Sequence, residues 1–179
     1  MLSKITRSVL FCLLLSVTFF TNAQVRPTPA AERLKGLEQR QLLERRSRVN
    51  GTAFRNVGPT VMSGRVTDLE VNPEDPTEFY VAYATGGLWH STNNGQSFTP
   101  LFDSADVITI GDIAVNWNDR TIWVGTGEVN SSRSSYAGLG VYKSTDRGRS
   151  WTYLGLPESH HIGKVQLHPT DPQTAWVAV

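Results

Sequence analysis

Ser144-Thr145-Asp146-Arg147-Gly148-Arg149-Ser150-Trp151 is a turn that occurs earlier in the same chain as Ser91-Thr92-Asn93-Asn94-Gly95-Gln96-Ser97-Phe98. Each copy follows a short run centred on an aromatic, Gly140-Val141-Tyr142-Lys143 and Gly87-Leu88-Trp89-His90. The unit therefore reads strand, tight turn, strand. The Asp or Asn at its third place accepts backbone N–H groups across the turn, the Gly supplies a positive φ, and the closing aromatic packs on the sheet. Recurrence at this scale is the mark of a propeller or solenoid.

Outward from the turns, a strand pair recurs as well. Val66-Thr67-Asp68-Leu69-Glu70-Val71-Asn72-Pro73, Ile110-Gly111-Asp112-Ile113-Ala114-Val115-Asn116-Trp117 and Ile162-Gly163-Lys164-Val165-Gln166-Leu167-His168-Pro169 align without gaps. A second apolar run follows each: Phe79 to Tyr83, Ile122 to Gly125 and Ala175 to Val179. Ser91 to Ser144 and Trp123 to Trp176 share one offset, 53 residues. The pattern predicts an all-β partial propeller, two complete four-stranded blades plus half of a third. Strands are expected near 65–72, 78–84, 87–92 and 97–101, then 109–116, 121–126, 139–145 and 150–155. Trp89, Phe98, Trp123, Trp151 and Trp176 are expected to pack between blades.

With these residues in view, the Ser-x-Asp-x-Gly-x-x-Trp element resembles the Asp-box, or bacterial neuraminidase repeat, of sialidase, xyloglucanase and sortilin propellers. The wider wording is most similar to secreted bacterial proteins with a sortilin-type N-terminal propeller, a group often labelled glycosyl hydrolases. It comprises Asn56-Val57-Gly58-Pro59, Ser63-Gly64-Arg65, Gly86-Gly87-Leu88-Trp89 and Ser144-Thr145-Asp146. The resemblance covers residues 51–179 and implies that Ser91, Asn93, Gly95, Phe98, Ser144, Asp146, Gly148 and Trp151 are structural turn residues. The first copy departs from the pattern at Asn93 and Phe98, where Asn keeps the acceptor.

The N-terminus sets the expected compartment. Lys4 and Arg7 precede an apolar run from Val9 to Phe20, and Thr21-Asn22-Ala23 offers small cleavage-site residues, so 1–23 reads as a secretory signal peptide. That run is short of the roughly 20 residues that cross a bilayer. Cleavage would leave no stable membrane span, and it would remove Cys12 and with it any intrachain disulfide. A secreted, periplasmic or cell-surface product is expected. Residues 24–50 form a linker in which the stretch Ala30 to Arg48, with Leu34, Leu37, Leu42 and Leu43 among six basic residues, suits a short amphipathic helix, read as solvated. From Gly51 to Val179 there are eight Lys and Arg against thirteen Asp and Glu, a net charge of minus five, which argues against nucleic-acid binding. Because rings have about four blades or more, the remaining blades are expected from a longer chain.

Topology then separates two faces. The turns from strand one to two and from three to four emerge on one; the two-to-three loops and blade crossings emerge on the other. The second face carries a long loop, Gly127 to Gly138, in place of the short Ala84-Thr85-Gly86-Gly87. Loops of this kind on a rigid scaffold bind ligands, and a solvated Ser-rich insertion is the equal alternative. Arg65, Arg133, Tyr136 and His161 are the candidate ligand-binding residues, an Arg pair suiting a carboxylate or a cluster of sugar hydroxyls. His160-His161 lacks further ligands at metal spacing, so neither a metal nor another cofactor is expected. Asn130-Ser131-Ser132 fits a glycosylation pattern but reads as coincidental in a bacterial-looking chain.

Glycoside hydrolysis needs two carboxylates about 5–9.5 Å apart, one of them protonated. Asp68 and Asp112 occupy equivalent places on adjacent inner strands and Glu128 opens the long loop, so these three are the catalytic candidates. The Arg-Ile-Pro segment of a sialidase is represented only by Arg55. The leading expectation is a secreted binding or interaction scaffold for a glycan or protein; the alternative is the N-terminal part of a secreted glycoside hydrolase, sialidase- or xyloglucanase-like.

Overall fold

The computed structural model describes residues 26–53, 64–130, 135–171 and 173–179. A helix, α1 (Ala30–Arg46), precedes ten strands: β1 (Val66–Val71), β2 (Phe79–Tyr83), β3 (Gly87–Ser91), β4 (Thr99–Pro100), β5 (Ile110–Asn116), β6 (Thr121–Thr126), β7 (Val141–Ser144), β8 (Thr152–Gly155), β9 (Lys164–Leu167) and β10 (Ala175–Ala178). They form sheets in the orders β1-β2-β3-β4 and β5-β6-β7-β8, and the antiparallel pair β9-β10. This is a partial β-propeller with two four-stranded blades and the inner half of a third. The signal segment, the Phe54–Ser63 part of the family resemblance, Ser131, Ser132 and Arg133 lie outside the described residues.

Register confirms the repeat residue by residue. Phe79 pairs with Ser91 in blade one as Ile122 pairs with Ser144 in blade two, which makes Tyr80 the counterpart of Trp123. Both inner strands break register at the same point, between Val66 and Asp68 and between Ile110 and Asp112. A bulge re-aims the side chain beside it, and here that side chain is an aspartate in each blade.

Blades pack face to face. Tyr80, Leu88 and Phe102 of blade one meet Ile110, Ile113, Ile122, Val124 and Tyr142 of blade two, all buried. Phe102 holds Tyr142 and Trp151 edge-on, at 5.7 and 4.8 Å between ring centroids. Trp151 Nε1 donates to the Leu101 carbonyl at 2.8 Å, tying the second turn to the first blade. A smaller core joins Ala114, Trp123 and Val141 to Ile162 and Val165 of the half-blade.

The eight-residue turns form as their sequence requires. Ser144 Oγ donates to Asp146 Oδ1 at 2.8 Å and accepts from Gly148 N at 2.8 Å, while Ser150 N donates to Asp146 Oδ1 at 2.9 Å. Ser91, Asn93, Gly95 and Ser97 repeat the pattern. Gly148 has φ +83°, and a Cβ there would meet Leu101 Cδ1 at 2.8 Å. Arg147 and Asn94 also take positive φ, which their residue types do not announce.

Two expectations need correction. Trp176 is 54% exposed. Its counterparts Tyr80 and Trp123 are covered by the inner strands of the following blade, whereas Trp176 meets His168 at 5.5 Å. Trp89, Phe98 and Trp151 are half-buried. The second correction concerns α1, which is docked and not solvated throughout: Ala30 is buried and Arg33, Leu34 and Leu37 are partly buried, a spacing that places them on one helical face. Leu37 packs against the core between blades one and two.

Candidate functional site

Arg65 precedes β1 and Glu128 follows β6, so antiparallel pairing brings both to the face opposite the Ser91 and Ser144 turns. The Arg65 guanidinium grips Glu128 with two parallel bonds, Nε to Oε1 at 2.7 Å and Nη2 to Oε2. The Glu128 side chain is fully buried; that of Arg65 is 43% exposed. The Arg65 hydrogen bond holds the Glu128 carboxyl below its ordinary range, against the upward push of burial, and His161 acts in the same sense. A buried carboxylate so held is not a proton donor. It is a charged rivet between blades one and two, set where Gly127 N donates to Thr109 O and Gly127 O accepts from Ile162 N.

Asp68 and Asp112 are brought together at the inner strands, each turned toward the next blade. Asp112 Oδ2 accepts from Val165 N at 2.7 Å and Oδ1 from Lys164 Nζ at 3.0 Å. Asp68 Oδ2 accepts from Ile113 N at 3.2 Å and lies 3.8 Å from the same Lys164 Nζ. Val165 and Ile113 are counterparts, so one hydrogen bond is used at two successive blade junctions. In the half-blade the aspartate's place is taken by Lys164, which closes the series as the counter-ion. Burial raises Asp112, with Val165 N–H and Lys164 opposing. Burial, then Asp68, raises Glu70. Burial pulls Lys164 down, but Asp112, Asp68 and Glu70 together carry it upward.

The remaining sequence candidates are more scattered. Tyr136 is 57% exposed on the long loop. His161 is half-buried with Nδ1 making no hydrogen bond among the described residues. His160 is lowered by burial and then by Arg33 and His161. Among the described residues no group of three or more His, Cys, Asp or Glu is placed to hold a metal ion, and no helix is long and apolar enough to cross a membrane.

The sequence reading missed what α1 does here. Arg33 inserts its guanidinium between the Gly138 and Pro157 carbonyls, the latter at 2.5 Å, and Arg40 Nη1 reaches the Asp106 carbonyl at 3.2 Å. These acceptors are the end of the long loop and the two blade crossings, so α1 lies over part of the face expected to take a ligand. No local signal foretells it, because Arg33 and its partners are more than 100 residues apart. Also missed is an inter-blade cluster on the opposite face. Glu78 accepts from Arg120 at 2.7 Å and Asn72 at 2.8 Å and meets His90 at 3.1 Å. Burial pushes the Glu78 carboxyl up, yet those partners outweigh it and hold it low.

No protein-family profile matches the chain. A xyloglucanase of Paenibacillus sp. is 30% identical over 89 residues, which covers 49% of the chain and 8% of that protein. Among solved structures, an ancestral GH74 enzyme is similar at 21% identity with a TM-score of 0.49, covering 65% of the chain and 16% of that structure. The Niastella koreensis GH74 enzyme is similar at 22% identity with a TM-score of 0.43, covering 55% of the chain and 15% of that structure. The chain thus spans less than a fifth of the length of each protein it matches.

Proposed function

We propose that the chain is a segment of an exported Asp-box propeller that serves as a glycan-binding scaffold, entering the export pathway by the 1–23 signal peptide, with its propeller part spanning residues 51–179. The observation that carries the scaffold reading is the employment of its carboxylates. Asp68 and Asp112 bind backbone N–H groups of the next blade, and Glu128 is clamped by Arg65. Such groups fix blade geometry, whereas acid–base chemistry needs one protonated carboxyl and one free base facing a substrate. A glycan is favoured as ligand by the identity shared with the xyloglucanase, and the exposed Tyr136 ring on the long loop offers the stacking surface a sugar requires.

One observation favours a second reading, the N-terminal part of a xyloglucanase-like hydrolase: Asp68 and Asp112 bring two carboxylates to one cation, at 3.8 and 3.0 Å from Lys164 Nζ, and paired carboxylates are what glycoside hydrolysis uses. Titration of the protein with xyloglucan and with an unbranched β-glucan, alongside a reducing-end assay on the same sample, separates the two. Saturable binding without new reducing ends supports the scaffold. Turnover lost in Asp68→Asn supports the hydrolase.

A further inference from the structure

Helix α1 is pinned to the loop face by a few residues of its first half. Arg33 binds the Gly138 and Pro157 carbonyls, Arg40 the Asp106 carbonyl, and Leu37 enters the core between the blades. Gly138 ends the long loop two residues after Tyr136, so α1 sits against the loop that the scaffold reading gives to a glycan. The helix is poorly equipped to stand alone. Pro29 at its start makes no side-chain cap and Gly36 interrupts its middle, so its stability comes from the docked face. That face is short, for every residue from Glu38 to Ala53 is exposed. Docking is also incomplete: Arg33 Nε is buried with no hydrogen bond among the described residues, a donor that release returns to water.

Beyond the docked part the chain reads Arg45-Arg46-Ser47-Arg48-Val49-Asn50-Gly51-Thr52. Its backbone bonds are local: Ser47 N donates to Glu44 O, Asn50 N to Ser47 O and Thr52 N to Val49 O, between 3.0 and 3.2 Å. A protease binds its substrate as an extended strand, and drawing out this segment breaks only such turn bonds. Basic residues of the blades are placed differently. Lys143 and Lys164 lie in strands, and Arg147 and Arg149 belong to the bonded eight-residue turn. Arg26, ahead of α1, is followed by Pro27, which blocks cleavage after it.

We propose that the Arg48–Val49 peptide bond is a processing site for an arginine-specific endoprotease, and that cutting it releases α1 from the loop face. One water adds across the bond, leaving a carboxylate on Arg48 and an amino group on Val49. While the chain is intact the tether holds α1 at an effective concentration on the order of millimolar, so at micromolar protein the cut helix is disfavoured about a thousandfold. Site and release follow from α1 itself; the gain in ligand binding rests on the scaffold reading.

The test is limited trypsin digestion of the protein, read by intact mass, beside a variant carrying Arg45→Gln, Arg46→Gln and Arg48→Gln. The first cut is expected at Arg48–Val49, with the α1 peptide separating from the propeller on gel filtration. Xyloglucan should then bind the cut protein about tenfold more tightly, the gain for a face uncovered about one-tenth of the time before cleavage. The triple variant should resist the same dose of trypsin and keep the lower affinity. A first cut elsewhere, α1 remaining with the cut propeller, or equal xyloglucan affinity of cut and intact protein would each overturn the inference. Release of α1 with xyloglucan binding by neither form would uphold the processing site and refute the glycan reading.

Discussion

Asp112 Oδ2 accepts a 2.7 Å hydrogen bond from the backbone N–H of Val165, and Asp68 makes the same bond to Ile113 one blade earlier. Each aspartate sits just past a register shift that turns it toward the neighbouring blade. The junction is thereby specified by a buried polar contact inside an otherwise apolar packing. Asp112→Ala should leave the buried Val165 N–H without a partner and Lys164 without its nearer counter-ion, at a cost of about 2 kcal/mol. Urea unfolding gives the measurement; an unchanged midpoint would contradict this role.

Gly148→Val should destabilise by roughly 1–3 kcal/mol, since a β-branched residue resists φ +83° and its Cβ would press on Leu101. Gly155→Ala offers the comparison, because it too has positive φ but nothing within 4 Å of the added Cβ. Thermal melts of the pair separate backbone strain from the clash, and Gly148→Val should melt lower.

Acid should weaken the second turn. Ser150 Oγ, then its N–H, then Ser144 Oγ hold Asp146 from an ordinary 3.8 down to about 2. A depressed carboxyl contributes stability that is full above its unfolded pKa and is lost as pH falls from about 4 toward 2. Asn93 shows that the first turn forms with an uncharged residue, so Asp146→Asn should fold. The stability gap between the two proteins should shrink across that window in acid titrations followed by circular dichroism; a constant gap would contradict the assignment.

Much of this fold is legible in the sequence because the repeat states it more than once. The strands of both blades fall where the aligned runs place them, and the turn glycines take positive φ. What fails is whatever depends on a neighbour outside the unit. Trp176 matches Trp123 in sequence, yet its burial is a property of the blade that covers it. Asp68 and Asp112 are identifiable as equivalent, but their role depends on a bulge and on backbone groups in the next blade. Arg65 and Glu128 both map to one face, but that each satisfies the other depends on a contact across 63 residues that no local pattern encodes.

The docking of α1 rests on Arg33 and Leu37. Arg33→Ala should forfeit two charge-assisted bonds to the Gly138 and Pro157 carbonyls, about 2 kcal/mol of docking free energy. Amide exchange over residues 30–46 should then accelerate while that of β5 and β6 is unchanged. Equal exchange in both proteins would mean the helix is held by other contacts.

The central claim, a glycan-binding scaffold whose inner carboxylates are structural, is tested most directly by xyloglucan titration calorimetry on the protein and its Asp68→Asn variant, with reducing ends counted in the same samples. Saturable heat is expected in both proteins, with no reducing ends above the buffer blank. Release of reducing ends by the parent protein, abolished in Asp68→Asn with binding intact, would contradict it.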